Sequence, residues 1–460
     1  MPYKSNWIRL WRCGLRPNKF EQKQEKAVIF GVMKGLFWVI ICGLFIPKVG
    51  ATTDSTLRYT NAIYEGDIRS IVLRNAGSGF NFPVLLLGAQ QADLELSFDQ
   101  LQAERDYYQV TLVHCDALWR KTSLAKTQCL DGMGFQEVDQ VRFSNGTLTP
   151  YVHYAVRLPN ADMRPKLSGN YLLVVYRNYD EADIVFSRRI MVLQSKGNVQ
   201  VDISQSSQVE FRQQQQQINF TFNKTTSNYF MPNPFRDITS LVLQNGDWNT
   251  AISNLKPQFI KNESFIYNQM LGSQFWGNNE FRFFDIRSLQ TAAAGVKKRD
   301  NIGGQKHVWL ISDRSRGFDA YTNWKDYNGR VYYDNRDVPS NKPVESDYCF
   351  VHFSLFSEPL DKEVYVYGEM SDWRILESHK MYYNTESKQY EAVIPLKQGF
   401  YNYMYGVREA STDSYLNFIS FEGSHSVSEN NYMVLIYHRN PVLPYDELIG
   451  YGLNNSQPNR

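Results

Sequence analysis

Apolar residues in this chain gather in short runs instead of recurring every three or four positions. The runs at 71–73, 83–87, 94–98 and 107–113 are β-branched, leucine-rich or aromatic, and Leu94-Glu95-Leu96-Ser97-Phe98 alternates strictly. A period of two puts one face of a strand in a core and the other in water. Turn residues punctuate the runs at 75–79, Asp131-Gly132 and Asn145-Gly146. The run 171–176 follows the turn Ser168-Gly169-Asn170 and is continuous rather than alternating, as in a strand covered on both faces. Strands this closely spaced, with no helical pattern between them, predict a β-sandwich over 52–197.

The pattern resets near Ser195-Lys196-Gly197-Asn198. Five glutamines at 213–217 run directly into the alternating Ile218-Asn219-Phe220-Thr221-Phe222, so they predict a polar strand edge rather than a disordered tract. Further strands are expected at 241–245, 281–285 and 308–311, with 287–306 as an exposed Ala-, Gly- and Lys-rich loop. A middle β-rich domain therefore spans 198–340. Asn341-Lys342-Pro343 reads as a linker to a third unit, 341–460, with strands at 348–356, 364–368, 390–396, 401–405 and 432–437. No long amphipathic helix is predicted. The fold class is all-β, with β-sandwiches in tandem.

The N-terminus departs from this pattern. Residues 35–47 form an apolar run of 13, flanked by Lys34 and Lys48 and followed by Val49-Gly50-Ala51. The run is short for a membrane span but suits a signal peptide, with cleavage expected after Ala51. Residues 1–51 are thus expected to be leader and signal peptide, with Met33 as the preferred start; a signal anchor is the competing reading. Cys42 follows Ile40-Ile41, where a lipidated cysteine needs a small residue before it. The leader holds nine Lys or Arg and two acidic residues, a net +7. The whole chain is +2, leaving 2 − 7 = −5 for the mature part. The basic balance belongs to the leader, and no nucleic-acid partner is expected.

Candidate chemistry is sparse. His114-Cys115-Asp116 resembles a nucleophile beside its base, but neighbours on a strand point to opposite faces. Asp326-Tyr327-Asn328-Gly329 hints at a calcium loop, yet no acidic ligand follows at the required spacing, and Asn-Gly marks a turn. Metal-binding cysteine spacings, HExxH, GxSxG and phosphate-binding glycine loops are absent from the sequence. No catalytic, metal or cofactor-binding residue is expected, and the chain is read as a non-enzyme. The partner-binding residues are not assignable. Cys115 and Cys129 either pair in an oxidising compartment or stay as buried free thiols, with Cys349 left over. Aromatic residues make up 15% of the chain, including 30 Tyr, which suits a strand-rich fold.

The third unit resembles the early-set immunoglobulin-like sandwiches related to glycogen-binding modules. The resemblance rests on Val366-Tyr367-Gly368 leading to Trp373, and on Lys397-Gln398-Gly399-Phe400-Tyr401-Asn402-Tyr403. It implies an immunoglobulin-like C-terminal sandwich, with Trp373 as either a core residue or a sugar platform. Longer-range motifs, in order, resemble the Plug protein family of the type IX secretion system. They are Leu96-Ser97-Phe98-Asp99, His114-Cys115-Asp116 with Trp119, Tyr151 with His153-Tyr154, Ser168 to Leu173, and Arg188-Arg189. The series continues with Gln244-Asn245 and Trp248, Gly277 to Asp285, Asp326 with Asn328-Gly329, Lys397 to Tyr403, Glu422-Gly423-Ser424, and Glu429-Asn430 with Tyr432. Phe400 stands where the family pattern has Tyr, and Cys129 is outside it, so the pairing with Cys115 gains no support.

The resemblance implies a periplasmic protein associated with the outer membrane. Its partner would be the outer-membrane β-barrel translocon, whose periplasmic mouth it closes without covalent chemistry, with no membrane insertion of its own after signal cleavage. The runner-up is a periplasmic or surface carbohydrate-binding protein using the C-terminal sandwich, which exposed coplanar aromatics would favour. A cryptic hydrolase would need converging carboxylates or a histidine beside Cys115.

Overall fold

Strands that are apolar on every residue have to be covered on both faces, and several strands here are. In the computed structural model, residues 56–75, 82–89, 93–226, 229–268 and 271–457 are described. The leader expected at 1–51 lies outside them.

The first part pairs two sheets. One has six strands, with Gly169–Arg177 at its centre between Tyr108–Cys115 and Asp180–Leu193. The other holds Ile68–Asn75, Leu94–Gln100, Val152–Leu158 and Gln140–Phe143. Leu94, Leu96 and Phe98 point inward from the second sheet to meet Leu112, Tyr171, Leu173 and Val175 from the first. That inward set is the alternation expected for an aligned sandwich.

The outward face of the six-stranded sheet is buried as well. Leu172, Val174 and Met191 pack on Leu241, Leu243, Met433, Leu435 and Tyr437. These belong to a four-stranded sheet built from Ile238–Gln244, Ile252–Ser253, Asn431–Arg439 and Asp446–Asn455. Its alternate residues, Val242, Tyr432, Val434 and Ile436, face the other way, onto Val199, Val201, Phe220 and Phe222. Four sheets are thus stacked through three apolar seams, and the unbroken runs 171–176 and 432–437 sit in the layers covered on both sides.

A ten-stranded sheet curls around a further core of Phe284, Val351, Phe353, Val364, Val366, Ile394, Tyr401 and Tyr405. The fold is all-β, and among the described residues no helix exceeds four residues.

Hydrogen bonding crosses the boundary expected at 340/341. Leu241 pairs with Leu435, Phe284 with Tyr401, and Val308 lies parallel to Val351. The described part of 53–460 is one compact unit.

Three local expectations change. Residues 287–306 hold half of a hairpin, Val296–Ile302 against Gln305–Leu310, turned at Gly303-Gly304 with φ of 59° and 80°. Its first strand reads as loop because it lies at a sheet edge, where Lys297, Lys298 and Arg299 replace alternation and deter edge pairing. The glutamine run enters the strand Gln215–Lys224, an interior strand rather than an edge, and Gln216 and Gln217 are buried. Gln216 donates to the carbonyls of Ser426 and Ser428 at 2.9 and 2.7 Å. The stretch 341–343 leads into one turn of helix, Lys342–Glu345.

Candidate functional site

The motif residues that are scattered in sequence converge at three buried joints. Asp99 lies directly across from His153 on adjacent strands, and accepts from its Nδ1 at 2.6 Å. The other Asp99 oxygen accepts from Lys397 Nζ at 2.5 Å and from the Tyr348 hydroxyl at 2.8 Å. Lys397 also donates to the Pro343 carbonyl at 2.7 Å and sits 4.3 Å over the Tyr151 ring. Asp99 is 0% and Lys397 3% exposed. Burial alone would push the Asp99 carboxyl up. The Lys397 ammonium and the His153 hydrogen bond prevail and hold it below its ordinary value. The first sandwich is thereby joined to the C-terminal sheet by a buried, paired charge cluster, in which burial pulls the Lys397 ammonium below its ordinary value despite Asp99.

At the second joint Trp119, held at φ 63°, meets Trp248 edge-on at 5.0 Å. The Arg189 guanidinium lies 4.6 Å and 5.0 Å from the two rings and donates to the Tyr59 carbonyl. Asp116 shapes the turn into Trp119 by accepting from the amides of Leu118 and Arg120, both at 2.9 Å. Arg188 pairs with Asp372 at 3.1 Å, reaching the turn that carries Trp373. These joints line one cleft of about 440 Å³, together with Arg74, Arg142 and Arg330.

The third joint centres on Glu422, which is fully buried. Arg282 Nε and Arg316 Nε reach it at 3.0 and 2.5 Å, and the Tyr405 amide donates to it at 2.9 Å. Burial would raise its carboxyl, but the two arginines hold it below the usual range. Nearby, Asp326 accepts from the Phe281 and Asn328 amides. Burial, with the Glu280 and Glu429 charges adding, pushes it up to about 7.

The residues weighed for chemistry are placed elsewhere. His114 hydrogen-bonds Thr122 and the Ser168 carbonyl and packs edge-on against Tyr171. Cys115 sits in the opposite core beside Leu172 and Met191. The two side chains diverge, as strand geometry requires. Cys115, Cys129 and Cys349 are free and buried. Burial pushes the thiols up to about 12, 11 and 12, which leaves them protonated. Asp326 to Gly329 form a turn in which Arg330 N bonds to Tyr327 O at 3.2 Å.

Trp373 packs edge-on against Phe281 and Tyr367, and its ring tip fills the space a Cβ on Gly329 would need. It is half-buried and is not an open platform. A half-exposed aromatic row does exist on the sheet at His307, Trp309, Phe350 and His352. Its rings stack on each other, Trp309 on His352 at 4.3 Å and His307 on Phe350 at 5.1 Å. Among the described residues, no group of three His, Cys, Asp or Glu could hold a metal ion. No helix there is long and apolar enough to cross a membrane.

Sequence reasoning singled out Asp99, Lys397, Arg189 and Glu422 as motif members but not as partners. Their only signal was a charge among apolar neighbours: Asp99, Arg189 and Lys397 lie in strands, and Glu422 ends the one-turn helix Ile419–Glu422.

The chain is thus an all-β protein of stacked sheets whose motif residues fasten those sheets together. Residues 68–194 match the family model described as Type 9 secretion system plug protein 1st domain. Over these residues the chain is similar to the first domain of type IX secretion plug proteins. The crystal structure of a hypothetical protein from Parabacteroides merdae ATCC 43184, at 2.30 Å resolution, is similar over most of the length. Its TM-score is 0.82 at 29% identity, covering 87% of this chain and 100% of that one. No curated protein matches the chain.

Proposed function

We propose that this protein is the periplasmic plug of a type IX secretion translocon. It binds the periplasmic mouth of the outer-membrane β-barrel and closes it by contact alone. The observation that carries this reading is the plug first-domain match over residues 68–194. The construction of the body supports it. A stopper has to keep its shape under load, and charged pairs sealed between sheets fix one arrangement of those sheets, since any other leaves a charge buried without its partner. Protonated, buried thiols and a His114 that faces away from Cys115 favour a binding role over catalysis. The carbohydrate reading loses support from Trp373, whose ring is packed against Phe281 and Tyr367.

Affinity purification of the tagged mature chain from detergent-solubilised envelopes tests the proposal. Stoichiometric recovery of one very large outer-membrane barrel protein is the expected result. Recovery of the chain alone from cells with a working secretion system would count against it.

A further inference from the structure

The segment between Asp313 and Asn328 exposes Tyr327 in part and Phe318 completely, and Phe318 stands on a fixed mount. Phe318 is 103% exposed, the highest value among the large apolar side chains of the described residues. An exposed aromatic on a mobile loop would mean little. Here both flanks are anchored.

On one side Arg316 is buried: it pairs with Glu422 at 2.5 Å, donates to the Glu280 carbonyl, and gives its amide to the Phe421 carbonyl at 2.8 Å. Gly317 follows in a space where a Cβ would lie 2.6 Å from the Ser420 carbonyl oxygen, so only glycine fits. The turn closes when the Asp319 amide donates to the Arg316 carbonyl at 3.1 Å, and Arg314 pairs with Asp319 at 2.8 Å. On the other side Tyr321 donates to Glu280, and Trp324 Nε1 donates to the Phe281 carbonyl at 2.8 Å.

We propose that Phe318 is a preorganised anchor that inserts into an apolar pocket of a protein partner, and that this pocket lies on the periplasmic rim of the translocon barrel. The identity of the partner rests on the function proposed above; the anchoring role rests on the geometry. Interfaces draw most of their affinity from a few aromatic or arginine side chains seated in partner pockets. An anchor already held in place avoids most of the ordering cost of binding. The surroundings fit a protein pocket better than a lipid surface. Arg314 and Asp319, which pair across the turn, are of opposite sign, and a lone Phe between them lacks the broad apolar face and basic fringe of an interfacial membrane anchor.

The test uses the full mature chain and solubilised envelopes. A photo-crosslinking phenylalanine analogue placed at position 318 should capture the barrel protein. Phe318→Ala should bind the barrel at least ~10-fold more weakly, as expected for a hot-spot residue. Because Phe318 has no neighbours to lose, its Tm should match wild type. If wild type recovers the barrel and Phe318→Ala recovers it equally well, the anchor is wrong and the plug reading stands. If wild type recovers no barrel, both fall together. Capture of lipid in place of protein by the 318 crosslinker would also overturn the proposal.

Discussion

At the residue scale the unusual tyrosine content acquires a cause. Buried and half-buried carboxylates recur, and tyrosine hydroxyls donate to them. Tyr348 donates to Asp99, Tyr367 to Asp247, Tyr229 to Glu447, and both Tyr403 and Tyr405 to Asp313. A tyrosine brings a large apolar body and one donor to a site that needs both. Lys397→Met should therefore do more than remove a contact, because it leaves Asp99 charged in an apolar seam. The expected loss is about 3–5 kcal/mol by urea denaturation, with the double variant Asp99→Leu/Lys397→Met recovering part of it. A Lys397→Met protein as stable as wild type would show that the Asp99 cluster does not hold the sheets.

Asp326 makes the opposite prediction. Its folded carboxyl titrates near 7, against an ordinary value of 3.8. The unfolded chain releases this proton near pH 4 while the folded protein keeps it until about 7. The folded state binds more protons across that window, so stability falls as pH rises from 4 to 7 and levels off above it. At ~1.4 kcal/mol per unit the total is at most about 4 kcal/mol. Asp326→Asn gives up one acceptor and lowers stability at acid pH, but its pH profile should be flatter over that window. Asp99 and Glu422, held low, add stability above pH 4 that is lost as the pH drops further. Parallel profiles of wild type and Asp326→Asn would contradict the assignment.

At the element scale, strand positions were legible wherever residues were apolar, and partners were not. The run at 348–356 corresponds to the strand Tyr348–Phe356. The C-terminal strand Asp446–Asn455 gave little signal because Gly450 and Gly452 interrupt its apolar pattern. Both glycines exist to admit Val199 from the neighbouring sheet, since a Cβ at either would come within 2.9 Å or less of its methyl groups. Gly452→Ala should cost about 1–3 kcal/mol through overpacking, and Val199→Ala in the same chain should return only part of it, because the Val199 Cβ and carbonyl oxygen stay 2.9 Å from the new Cβ. Thermal melts of the two single variants and the double variant decide this; additive losses would mean the two sites do not touch. The edge strand Val296–Ile302 was invisible for a different reason. Its job is to be charged, and a charged strand has no period to read.

At the scale of the whole molecule, the order of motifs along the chain was legible but their meeting points were not. Asp99 and Lys397 are about 300 positions apart, and no local pattern links them. Because Ile238–Gln244 pairs with Asn431–Arg439 of the C-terminal part, and Arg282–Asp285 pairs with Gly399–Arg408, the described body should unfold in one cooperative step. Calorimetry resolving two or more separate transitions would contradict that. A rigid body of this kind suits a pore closure, and Phe318 supplies it with a fixed point of contact.

The claim of closure itself is tested most directly by conductance. The purified translocon barrel, reconstituted in a planar bilayer, is recorded before and after adding the mature chain to its periplasmic side. The account predicts that the large open-pore current falls towards zero at stoichiometric protein and returns when the chain is washed out. A pore that keeps conducting with the chain demonstrably bound would contradict it.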